Sequence, residues 1–226
     1  YYKIFTEDSY GNYDAGTVPT GSPATPVGAT FSGTVYTDEG TTLMTTGPTV
    51  ALRVNGGGTY SAVANGSGVY SIPNVTVSAG QVVSIFLDTN AGNQANLITR
   101  AASGGNVSGL NLYQNRVIVS HEDAGPITNA NLDQFDNVGD SDMMFTVTTN
   151  DAVYEDGAKV IIWTGKTYTP GGTVTTDPSA SSSSVDGDLT IQTSAILAMG
   201  TNALSVGGDF VNSGTFSESG SPQVTT

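Results

Sequence analysis

The chain has 226 residues, enough for one large or two ordinary domains, and its 20 acidic and 6 basic residues give a net charge of −14. An acidic surface gains no counterion release on nucleic acid or anionic lipid, which disfavours both as partners, and no apolar run approaches the roughly 20 residues of a membrane-spanning helix. The absence of cysteine excludes disulfides, thiolate metal sites and cysteine nucleophiles. Only 12% of the residues are charged, and abundant Gly, Thr, Ser and Asn are typical of strands and turns.

Residues 1–28 are rich in Tyr, Gly, Pro and Thr and predict an extended arm. The start of this arm alternates like an edge strand. We expect it to complete a sheet in another copy by β-strand addition. The predicted assembly residues are Tyr1, Tyr2, Ile4 and Phe5.

Residues 29–120 alternate with a period of two in one segment after another, as in Phe31, Gly33 and Val35. Asn-Gly and Gly-Gly turns separate these segments. Strands at this spacing predict an antiparallel β-sandwich.

Residues 121–142 form an acidic junction between the two halves. Oxygen ligands in loops suit Ca²⁺, which would offset repulsion between the carboxylates. The predicted calcium ligands are Glu122, Asp123, Asp133, Asp136, Asp140 and Asp142. Their spacing does not match an EF-hand loop, and the alternative is a solvated linker. His121 is the only histidine, and no serine lies in a nucleophile-elbow context, so we predict no enzyme.

Residues 143–226 contain three stretches of about twenty residues with short apolar alternations and Gly-rich turns. Aligned with one another, Ile162, Ile191 and Val211 open a segment, and Tyr168, Leu197 and Phe216 close it. Such a rung cannot bury its apolar face alone and must stack on neighbours. The predicted fold is therefore all-β, an antiparallel sandwich followed by a short β-solenoid-like stack of rungs.

The aromatic residues Trp163 and Tyr168 have two interpretations. Ile162 and Trp163 must point to opposite sides of a strand, so the sequence does not decide which one faces inward. Packing in a core or between rungs is the favoured interpretation. The alternative is that Trp163 and Tyr168 stack on the faces of sugar rings.

Two resemblances follow from longer motifs. The succession SGTVYTDEGTTL, TVALRVNGG, YSAVANGSGVYSIPNV and AGQVVSIFLD resembles the transthyretin-like, or carboxypeptidase-regulatory-like, sandwich of bacterial surface proteins. Segments such as VSGLNLYQNRVIVSHEDAGPITNANL, IIWTGKTYTPGGTVTT and LSVGGDFVNSGTF resemble β-strand repeats of very large bacterial cell-surface and adhesin-type proteins. The resemblance implies scaffolding or adhesion and offers no catalytic residues to carry over.

These observations predict an extracellular structural protein. We expect a subunit or stalk module of a bacterial filament, sheath or surface layer. Its expected partners are other copies of the same chain, joined non-covalently by strand addition or end stacking. The alternative is an adhesin module that binds carbohydrate.

Overall fold

The computed structural model describes residues 28–88, 92–136, 140–155, 157–176 and 184–219, together with Tyr10 and the backbone of residues 224–225. The predicted assembly residues Tyr1, Tyr2, Ile4 and Phe5 lie outside the described residues, as does most of the Ser-rich tract after Asp177. Within the described residues the protein is all-β apart from one helical turn and one 3₁₀ turn, as predicted. Those residues include no helix with the length and apolar character needed to cross a membrane.

The first half contains two sheets that face each other. Its strands are β1 (Ala29–Tyr36), β2 (Thr49–Val54), β3 (Thr59–Val63), β4 (Val69–Val75), β5 (Val82–Leu87), β6 (Asn96–Arg100), β7 (Leu112–Tyr113) and β8 (Arg116–Val119). One sheet has the order β4-β1-β7, and the other contains the antiparallel strands β3, β2, β5 and β6 in that order. Every residue of β5 is buried, because both of its faces are covered.

The second half is preceded by the helical turn α1 (Asn129–Leu132) and a 3₁₀ turn (Asp133–Phe135), and its strands join three sheets. Its strands are β9 (Phe145–Thr148), β10 (Asp151–Tyr154), β11 (Lys159–Ile162), β12 (Thr167–Tyr168), β13 (Val174–Thr176), β14 (Leu189–Ile191), β15 (Ile196–Gly200), β16 (Leu204–Val206), β17 (Phe210–Asn212), β18 (Thr215–Glu218) and β19 (Val224–Thr225). They pair in parallel except for the antiparallel pair β9 and β10. Strands β11 to β13, β14 to β16 and β17 to β19 are three successive rungs, each placed in register on the previous one.

The register of the rungs follows the sequence alignment at most positions. Tyr168 pairs with Leu197, and Leu197 with Phe216, as predicted. Ile162 pairs with Ile191 as predicted, but the placement of Val211 is wrong by one residue, because Asn212 lies opposite Ile191. A shift of one residue turns a side chain to the other face, and Val211 is 48% exposed on the outside. Asn212 takes the register position of the inward residue and is exposed in this last described rung.

One sheet runs through both described halves in the order β3-β2-β5-β6-β8-β11-β14-β17. It is antiparallel from β3 to β6 and becomes parallel where β8 pairs with β6, with Asn96 opposite Val117. The sandwich sheet and the first side of the rungs are therefore one continuous sheet.

Two apolar cores lie on opposite faces of this sheet. The sandwich core contains Phe31, Ile72 and Ile85, and the rung core contains Val119, Ile162 and Leu197. Neighbouring residues of β11 alternate between them: Ile161 faces the sandwich core, whereas Ile162 faces the rung core.

The acidic segment 121–142 is folded against both halves. Ile127 bridges to Tyr168, Thr128 caps α1 in a capping box with Asn131, and Leu132 and Phe135 are fully buried in the rung core. The segment thus closes the start of the rungs, in contrast to the solvated linker considered above. At the other end Phe210 and Phe216 are only partly buried, so the described part of the stack is closed at one end and exposed at the other, which we call the open end.

Candidate functional site

Three of the six predicted calcium ligands each pair with a different cation. The Asp123 carboxylate lies 2.9 Å from Arg100 Nη2, and the Glu122 carboxylate lies 3.7 Å from Lys166 Nζ. Asp140 lies 3.6 Å from Arg53 Nη1. These cations come from positions far away in sequence, which is why the sequence showed an unrelieved acidic run.

The described residues contain no group of three or more His, Asp or Glu side chains that would hold a metal ion. Asp133 is exposed, and Asp136 lies at the end of the 3₁₀ turn, apart from the three ion pairs. The calcium site stays a prediction. It requires the melting temperature to fall when a chelator is added, and an unchanged melting temperature would contradict it.

His121 is a buried corner residue whose two ring nitrogens both contact the backbone. Its Nε2 accepts the Thr167 N–H at 2.8 Å, and its Nδ1 lies 2.8 Å from the Asp123 carbonyl oxygen. A carbonyl can only accept, so Nδ1 carries the proton and the ring is neutral. A Cβ at Gly125 would lie 2.5 Å from His121 Nε2, and φ is +59° there, so glycine is required beside the ring.

Tyr168 is fully buried inside the rungs and is not available to a sugar. Its hydroxyl donates to Asn129 Oδ1 and accepts from the Tyr154 hydroxyl at 3.1 Å. The Asn129 amide donates to the carbonyls of Asn150 at 2.7 Å and Thr173 at 3.1 Å. This fully bonded network attaches α1 to the first rungs.

Trp163 directly follows β11 and packs against the sandwich core, as the favoured interpretation expected. Its ring centroid is 6.0 Å from that of Tyr113, which is 5.7 Å from that of Tyr36 in an edge contact. The indole remains half-buried.

A cleft of about 200 Å³ lies beside Trp163. Buried Leu97, Leu110 and Ile118 supply its apolar surface. The remaining lining residues are polar or small: Ser108, Gly109, Asn111, Ser120, Glu122 and Lys166. Sequence reasoning missed this cleft because the turn at residues 108–111 reaches it only through the sandwich packing.

The open end of the stack is the second candidate site. Among the described residues, β17, β18 and β19 are the last members of their three sheets, so all three sheets present an edge at the same end. The backbone N–H of Ser213 and the carbonyl of Asp209 bond to the preceding rung. Because alternate residues of a parallel strand bond to opposite sides, the N–H groups of Phe210 and Asn212 point to the free edge.

An aspartate recurs at the same position of two successive rungs, just before β14 and just before β17. Asp188 Oδ1 accepts the N–H of Asp209, one rung further on, at 2.8 Å. Asp209 occupies the equivalent position in its own rung and is exposed, and its carboxylate accepts no N–H within the described part of the chain. The open end therefore offers a side-chain acceptor in register with a further strand.

Comparisons of the chain with protein-family models, with curated proteins and with solved structures give no significant match.

Proposed function

We propose that this protein is a structural module of an extracellular bacterial filament, sheath or surface layer, and that copies join non-covalently at the open end of the rungs. The observation that carries the proposal is the common edge of β17, β18 and β19. Sheet edges of this kind are templates for strand addition.

The difference between the two ends supports directional assembly. The start of the rungs is covered by α1, by the 3₁₀ turn and by the sandwich, whereas the rings of Phe210 and Phe216 lie 5.8 Å apart in a half-covered last described rung. A contact between an open end and a different surface of the next copy is heterologous, and it propagates as a filament when it does not close. The proposed donor strand is the alternating segment of residues 1–6 of a second copy.

The composition and the resemblances favour an extracellular array. A chain without cysteine and with a net charge of −14 resists non-specific association, so its contacts must be specific. The bacterial surface modules that the sequence resembles serve as stalks and scaffolds.

The test compares two substitutions of the same type. Val211→Lys places a charge on the edge strand β17, and Val153→Lys places one on β10, which has a partner on both sides. Both valines are exposed, at 48% and 36%. We expect the wild type and Val153→Lys to form larger species with rising concentration in sedimentation velocity, and Val211→Lys to remain monomeric with an unchanged melting temperature.

A wild type that is monomeric at every concentration would contradict the proposal. Equal assembly of Val211→Lys and the wild type would show that the open rung is not the contact.

A further inference from the structure

The cleft beside Trp163 combines one aromatic wall with a polar rim. It lies outside the rungs, where the turn at residues 108–111 passes over β6, β8 and β11. Its volume of about 200 Å³ is below the roughly 300–1,000 Å³ of sites for drug-sized ligands. It therefore suits one ring of a larger molecule.

The aromatic wall is fixed before any ligand arrives. Tyr36, Tyr113 and Trp163 form a chain of ring contacts at 5.7 and 6.0 Å. These ring contacts limit rotation of the Trp163 indole. A side chain that is already ordered loses little conformational entropy on binding.

The rim carries a donor and an acceptor in close proximity. Lys166 Nζ lies 3.7 Å from the Glu122 carboxylate and also donates to the His121 carbonyl. The ammonium is thus held in place and its charge is balanced. A ligand hydroxyl both donates and accepts, so it matches this pair better than a group that can only accept or only donate.

We propose that this cleft binds one ring of a neutral saccharide, with the C–H face of the ring on Trp163 and its hydroxyls on Glu122 and Lys166. An anionic ligand is disfavoured because Lys166 is already paired and the chain carries a net charge of −14. A purely apolar ligand would shield this ion pair from water without offering it a hydrogen bond in return. This binding site is separate from the open rung edge and is not required for assembly.

Trp163 is the only tryptophan of the chain, so its fluorescence reports on this cleft alone. The probes are cellotriose, maltotriose and chitotriose, each titrated into the full chain with selective excitation of the indole. We expect a saturable change in emission with at least one of them. Isothermal calorimetry on Trp163→Ala should show that binding is lost.

Two conservative variants test the rim. Glu122→Gln and Lys166→Gln each remove one charged hydrogen-bonding group and should weaken binding by about tenfold or more. Lys166→Gln also removes the hydrogen bond to the His121 carbonyl and could disturb the fold there. Glu122 is exposed, so Glu122→Gln tests the rim with the fold intact. Val153→Lys, which lies on β10 in a different sheet and does not line the cleft, should bind like the wild type.

The proposal fails if none of the three sugars gives a saturable signal by fluorescence or calorimetry. It also fails if both rim variants bind as tightly as the wild type, or if a sulfated oligosaccharide binds more tightly than the neutral sugars.

Discussion

Arg116 and Lys159 lie directly opposite each other on the adjacent parallel strands β8 and β11. Two like charges in this position repel each other. Glu39, from a turn of the sandwich, resolves the repulsion: its Oε1 lies 3.2 Å from Arg116 Nη2 and 3.0 Å from Lys159 Nζ. One carboxylate therefore connects the sandwich to two successive strands of the continuous sheet.

Replacing Glu39 with Gln should destabilise the protein by about 1 kcal/mol, because the two cations lose their common partner. Chemical denaturation at low salt measures the change. The difference should become smaller in high salt, where the repulsion is screened. Glu218→Gln is the matched control, because Glu218 is exposed and forms no ion pair with the described residues. Equal stability of the two variants would show that the Glu39 contacts contribute nothing.

The buried tyrosine network predicts an order of stability between two similar variants. Tyr168→Phe leaves Asn129 Oδ1 without its donor and the Tyr154 hydroxyl without its acceptor. Tyr154→Phe removes only the hydroxyl that donates to Tyr168, and the bond from Tyr168 to Asn129 remains. We expect Tyr168→Phe to cost about 2–3 kcal/mol and Tyr154→Phe about 1 kcal/mol in the free energy of unfolding. The reverse order would mean that the network is not continuous.

Alkaline pH should unfold the protein through its buried tyrosines. Burial raises the pKa of Tyr70, Tyr154 and Tyr168 above the ordinary value of 10.0. In the unfolded chain these phenols ionise near pH 10, so the stability they contribute is fully present below about pH 10 and is lost as the pH rises above it.

Tyrosinate absorbance and circular dichroism, recorded together, check this expectation. Of the ten tyrosines, the buried ones should ionise only as the circular dichroism signal of the β-sheets is lost. Ionisation of all tyrosines near pH 10 with an unchanged β signal would contradict it.

Removal of residues 1–13 should leave a folded but monomeric protein. The two cores are built from residues 29–206, so the melting temperature should not change. The proposed donor strand is lost, so the larger species should disappear in sedimentation velocity. If the shortened chain assembles normally, stacking between open ends replaces strand addition as the explanation.

The sequence predicted the features that depend on local periodicity. Tyr168, Leu197 and Phe216 could be aligned because inward residues at one corner of each rung stay large and apolar while the turns between them are small. Val211 was misplaced because the polar Asn212 interrupts the alternation at the exposed end.

Contacts between distant segments could not be predicted in the same way. The parallel pairing of Asn96 with Val117 joins two strands that were assigned to a sandwich without regard to the rungs. The cations that neutralise Asp123 and Glu122 come from Arg100 and Lys166, and only the folded chain brings them near. The cleft beside Trp163 depends on the same tertiary packing.

The continuous sheet also determines the order in which the rungs can form. An isolated rung has no template, but β6 gives β8 a paired edge, and each later rung then adds one parallel strand to an edge that already exists. We therefore expect the sandwich to form first and the rungs to be added in one direction, towards β17. Fraying follows the opposite course, so amide protection in native-state hydrogen exchange should decline from β8 through β11 and β14 to β17.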